Sequence, residues 1–92
     1  MKWRVLILPK AEADLGWFRQ HDRTSYVKCF DLVRELAQNP RQGTGKPERL
    51  KHFEQETWSR RVSHEHRMIY VIYSAETLVE VVSCKSHYNV NL

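Results

Sequence analysis

Two cysteines, three glycines and three prolines in 92 residues exclude several architectures at once. Two thiols, Cys29 and Cys84, do not make a disulfide framework, so a stapled secreted scaffold is not expected. No apolar run approaches the length of a membrane-spanning helix. The first residues lack signal-peptide anatomy, because Pro9 and charged residues follow the opening apolar run at once. No repeat or low-complexity tract is present. These absences lead to the expectation of one cytoplasmic domain over residues 1–92, with no membrane association. Gly43, Gly45 and Pro47 fall in one short stretch, 41–47. It reads as a flexible loop too short to separate domains.

The formal net charge is +4, from 15 Lys and Arg against 11 Asp and Glu. Residues 41–67 carry seven basic and four acidic groups, whereas 68–92 carry one and two. The excess is compatible with a polyanionic partner and equally with a merely soluble surface. Residues 2–8 read as a strand stopped at Pro9. Ala11–Gln20 reads as a short helix, followed by a polar break at 21–24. Tyr26, Cys29, Phe30, Val33, Leu36 and Ala37 recur at helical spacing. Thr24 or Ser25 is the expected cap, and Asn39-Pro40 the expected stop. Three strands should follow, Trp58–Ser63, Arg67–Tyr73 and Thr77–Lys85, as an antiparallel meander. Met68–Tyr73 is apolar throughout, which predicts a central strand covered on both faces over part of its length. The expected class is α+β, with an N-terminal strand and a two-helix hairpin packed on the meander sheet.

The chemistry-bearing residue types concentrate between Gly43 and Arg67. Glu48 sits among Lys46, Arg49 and Lys51. Arg60 and Arg61 are consecutive on a predicted strand, so they point to opposite faces. Arg61 and Arg67 flank a short hairpin link, and His87 and Tyr88 end the last strand. A carboxylate, an imidazole and arginines are the parts that internal RNA cleavage needs: a base, an acid and a clamp for phosphate charge. The same residues also read blandly. Glu48 fits a solvated loop carboxylate, Arg60 and Arg61 fit exposed strand charges, and His87-Tyr88 fits a chain end. A binding module without chemistry uses the same basic surface.

Two other constellations compete. His64-x-His66 with Cys84-x-x-His87 has the spacing of zinc ligands, although the usual cysteine pairs are absent. Cys84 and Cys29 also read as small buried hydrophobes. Trp3, Trp17 and Trp58 read as core or interface anchors. Tyr88 is the aromatic best placed to stack on a splayed base.

The ordered set GKPE-x-LKH, W-S-R-R, EHR-x-x-Y and a terminal HY resembles the YoeB/Txe toxins of the RelE superfamily, over roughly residues 40–88. The resemblance implies a RelE-like microbial ribonuclease fold. It implies a toxin of a toxin–antitoxin system that cleaves mRNA in the ribosomal A site without a cofactor or metal. The implied partners are a YefM/Axe-like antitoxin and the 30S subunit with its 16S rRNA and mRNA; a toxin homodimer is left open, compatible with exposed aromatics. By the same resemblance Glu48 is the general base, His87 the general acid and Arg67 the transition-state arginine. Lys51 and Arg61 contact phosphate and Tyr88 contacts the base. Lys46, Arg60 and Lys85 are further cations of that neighbourhood. The chain departs from the family at Ser86, in a slightly longer last hairpin, and in the tail Asn89–Leu92.

Overall fold

The computed structural model describes residues 2–86. Strand β1 (Arg4–Ile7) leads into helix α1 (Pro9–His21) and helix α2 (Arg23–Gln38). Strands β2 (Glu48–Leu50), β3 (Glu56–Arg61), β4 (Arg67–Tyr73) and β5 (Leu78–Ser86) follow, with a single 3₁₀ turn at Ser74–Glu76 between the last two. The five strands form one sheet in the order β1-β5-β4-β3-β2. β1 lies parallel to β5, and every other pairing is antiparallel.

Local chemistry sets the helix ends. Proline opens α1, where its missing N–H is not needed. The expected break at 21–24 shrinks to one residue, Asp22. Its carboxylate accepts from the Ser25 amide (3.1 Å) and the Ser25 hydroxyl (2.7 Å). Asp22 is therefore the cap of α2, and Thr24 and Ser25 lie inside the helix. α2 ends at Gln38, with Asn39 as its C-cap just before Pro40, as the sequence predicts.

The core lies between the two helices and one face of the sheet. Phe18, Cys29, Leu32 and Leu36 from the helices meet Met68, Tyr70, Val79 and Val81 from the strands. β4 is the middle strand, but it is not covered on both sides. Met68, Tyr70 and Ile72 are buried, while Arg67, Ile69, Val71 and Tyr73 are half-buried. Both helices sit on the same side, so no helix covers the opposite face; there Glu48 and Arg61 are exposed, although Leu50, Thr57 and Ser59 are buried. Among the described residues no helix is long and apolar enough to cross a membrane.

Candidate active site on the open sheet face

Strand register decides which side chains share the open face. Glu48 lies opposite Ser59, Ser59 opposite Ile69, and Ile69 opposite Ser83. In the next row Arg61 lies opposite Arg67, and Arg67 opposite Ser86. Directly paired residues project to the same side, and side chains alternate along a strand. Met68 and Tyr70 point under the helices, so Glu48, Ser59, Arg61, Arg67 and Ile69 share the other side. Glu48 and Arg67 are two strands and one row apart. Their Cα atoms are thus separated by roughly 12 Å.

Exposure separates groups free to meet a ligand from groups already engaged. Lys46, Glu48, Lys51 and Arg61 are exposed. Among the described residues none of the ion pairs involves any of the four. Arg67 is half-buried, and its Nη1 donates to the Ser63 and His66 carbonyls, both at 3.3 Å. These bonds tie the guanidinium to the β3–β4 turn. Glu48 belongs to a three-residue edge strand, and the segment leading to it includes Lys46 at φ 51° and Gly45 at φ 81°. A Cβ at Gly45 would lie 3.0 Å from the Arg61 carbonyl oxygen, so the loop follows β3 closely.

Two of the candidate cations lie elsewhere. Arg60 is completely buried, on the helix side of β3, and is not available to a substrate. Its Nε donates to the Tyr70 hydroxyl (3.1 Å), and Nη1 to Glu35 (2.8 Å) and the Thr44 carbonyl (3.4 Å). Nη2 donates to the carbonyls of Asn39 (3.0 Å) and Gln42 (2.8 Å). Alternation foretold opposite faces for Arg60 and Arg61, and the helix packing decides which is which. Lys85 turns towards α1, with Nζ 4.5 Å from the centre of the Trp17 ring. His87 and Tyr88, and the tail 89–92, lie outside the described residues.

The zinc alternative finds no group of three or more candidate ligands among the described residues. Cys84 is buried in hydrogen-bonding contact with Cys29, and this contact together with burial pushes its thiol far above the ordinary range. The His66 ring packs edge-on against Phe18 at 5.2 Å. Trp17 is an exposed platform, while Trp58 is anchored through Nε1 to Glu56 at 2.9 Å.

Sequence reasoning missed two carboxylates that hold this architecture, one buried (Asp14) and one half-buried (Glu35). Asp14 on α1 accepts from the Cys84 amide (2.9 Å) and the Lys85 amide (3.0 Å) through one oxygen. Lys10 donates to both of its oxygens at 2.7 Å. Burial pushes the Asp14 carboxyl up, but these donors outweigh it and hold the group below the ordinary aspartate value. Its signal was visible: Asp14 follows Ala11 by three residues and precedes Phe18 by four, on the apolar face. Glu35 on α2 receives Arg60 and also the Thr44 amide (2.8 Å) and hydroxyl (2.7 Å). A cavity of about 840 Å³ beside Glu35 and Thr44 is away from the open face.

Residues 8–88 match the family of YoeB-like toxins of bacterial type II toxin-antitoxin systems. Toxin YoeB of Synechocystis sp. is 39% identical over 75 residues, 82% of this chain and 85% of the relative. Toxin YoeB of Escherichia coli is 33% identical over 75 residues, 82% of this chain and 87% of the relative. The YoeB dimer of Staphylococcus aureus superposes with a TM-score of 0.82 at 32% identity, covering 96% of this chain and all of that one. The YoeB of the Staphylococcus aureus YoeB–YefM heterotetramer gives 0.77 at 32% identity, with the same coverage. With two helices on one side of a five-stranded sheet and an open face opposite, this chain belongs to the YoeB-like toxins of bacterial type II toxin–antitoxin systems.

Proposed function

We propose that the chain is a ribosome-dependent endoribonuclease that cuts mRNA in the A site and so halts translation in the cytoplasm. The observation that carries this reading is the gathering of Glu48, Arg61 and Arg67 on one open face by strand register. An open face suits a polymer better than a closed pocket. In this reading Glu48 takes the proton from a ribose 2′-hydroxyl, and the oxygen attacks the adjacent phosphorus. Arg67, with Arg61 and Lys51, holds the charge that develops on the phosphoryl oxygens. The phosphorus–5′-oxygen bond breaks, and His87 gives the leaving oxygen its proton. The products are a 2′,3′-cyclic phosphate and a 5′-hydroxyl, with no cofactor. Tyr88 stacks on the substrate base.

The test is single-turnover cleavage of mRNA on programmed ribosomes. Glu48→Ala, Arg67→Ala and His87→Ala should each slow cutting by about 10²–10⁴-fold while melting like the wild type. Wild-type cutting by any one of them removes that residue from the mechanism. Ribosomes stalled on intact message would refute the nuclease reading altogether. The structures of YoeB with YefM support a YefM-like antitoxin as a partner, and the YoeB dimer supports a homodimer; in this reading an acidic segment of the antitoxin neutralises the basic groups of this face.

A further inference from the structure

We propose that the buried Arg60 hub, acting through Glu35 and Thr44, is the positioning device for Glu48. The proposal rests on the reading of Glu48 as the base. Arg60 has five N–H donors, and all five are used on five acceptors with no exposed surface remaining. Three of those acceptors are carbonyls of the loop 39–44. The Tyr70 hydroxyl adds a bond to a fourth, Pro40, at 2.7 Å. Glu35 closes the ring, because it grips Arg60 and both donors of Thr44. The loop lies so close that a Cβ at Gly43 would run into the Glu35 carboxylate and sit 2.7 Å from Arg60 Nη1.

The hub reaches Glu48 by a short, stiff route. The Gly45 carbonyl accepts from the Arg61 amide at 2.6 Å. Glu48 pairs with Ser59, two residues back along β3. Between the two anchors stand only Lys46, held at φ 51°, and Pro47, whose ring fixes its own backbone. β2 has three residues and one neighbouring strand. A strand that short is not stable alone, so its place depends on what delivers the chain to it. Release of the loop lets Glu48 drift over the open face, and a general base misplaced by about 1 Å can lose about 10²-fold in rate.

Arg60 variants risk unfolding, so the test uses Glu35→Gln and Thr44→Val, which keep shape while removing the charge or the hydroxyl. Three measurements are made on the full chain: amide hydrogen exchange at Thr44 and Arg61, maximal rate and half-saturation on programmed ribosomes, and each rate again in a Glu48→Ala background. Expected are exchange at both amides faster by about tenfold or more, and a maximal rate lower by about tenfold or more with half-saturation within about twofold. In the Glu48→Ala background neither substitution should cost more rate. A loosened loop with an unchanged maximal rate overturns the proposal, as does a loop that stays protected. An equal loss with and without Glu48 also overturns it, since the hub would then act on something else. Wild-type cutting by Glu48→Ala alone is the distinct failure of the base assignment, and it shows without reference to loop exchange.

Discussion

Asp14→Ala isolates the contribution of one buried carboxylate that binds helix to sheet. The substitution leaves the Cys84 amide, in a fully buried residue, without its acceptor. A buried donor left unpaired costs about 1–3 kcal/mol. The Lys85 amide is nearer the surface, so water recovers part of its bond and about 1 kcal/mol is lost there. The Lys10 pair adds little, because the lysine is 58% exposed; about 0.5 kcal/mol is a fair figure. Alanine returns roughly 0.5 kcal/mol through its better helix propensity. The net loss is about 2–4 kcal/mol, out of roughly 5–15 kcal/mol for a domain of this size. Urea unfolding followed by tryptophan fluorescence measures it, with far-ultraviolet circular dichroism as the second probe. Asp14→Asn keeps one oxygen acceptor and should lose about half as much. A loss below about 0.5 kcal/mol for Asp14→Ala would refute the reasoning, since the two amides would then have found other partners at no cost.

The neighbouring arginines should behave oppositely. Arg60→Lys replaces five donors with three and leaves Glu35 poorly paired, so it should cost about 3–5 kcal/mol in the same unfolding assay. Arg61→Ala should change stability by no more than about 0.5 kcal/mol. On RNA it should weaken binding and lower the log–log salt slope by about 0.7. Acid should act through the carboxylates. Burial raises Asp14 and Glu35, but their donors outweigh it; at Glu56 the Arg41 hydrogen bond leads; all three sit below their ordinary values. A depressed folded-state value means the unfolded chain takes up protons first. The contribution is then fully present above the ordinary values of 3.8 and 4.5 and is lost as pH falls through the lower folded ones. Unfolding free energy, measured from pH 7 to 2, should therefore hold until about pH 4.5–5 and fall below it, less steeply in Glu35→Gln.

Much of the scaffold is legible where one residue carries the signal. Pro9 opens α1, Asn39-Pro40 closes α2, and Arg67–Tyr73 is β4 to the residue. The parts that were not legible depend on tertiary partners. β2 reads Glu-Arg-Leu, with neither alternation nor β-branched residues, and it is a strand because β3 supplies its hydrogen bonds. β3 starts and stops two residues earlier than its composition implies, because the Val62 and Ser63 amides turn onto the His66 carbonyl. The parallel pairing of β1 with β5 joins segments over seventy residues apart, and no local pattern encodes it. At the site, alternation told Arg60 from Arg61 but could not say which would be buried. Asp14 shows its burial in its place on the apolar face of α1, but its amide partners on β5 are not legible, and Glu35 looks like an ordinary helix-surface acid until Arg60 and Thr44 are in place.

The arrangement on the open face runs against what the sheet alone would prefer. Arg61 and Arg67 are a directly opposed pair, and like charges in that position repel. The fold has the means to neutralise an arginine, as Arg60 one residue earlier demonstrates with five acceptors. It spends those acceptors on the buried residue and leaves Arg61 without an ion pair among the described residues. Local rules broken without compensation mark places where an absent ligand completes the balance. An anionic group set between Arg61 and Arg67 removes the repulsion, and a phosphodiester or a carboxylate does so equally well. Whatever binds there only in the folded state also stabilises the fold by mass action. Two anions of these kinds would compete for the same pair of arginines, because the opposed positions of Arg61 and Arg67 leave room for one bridging group.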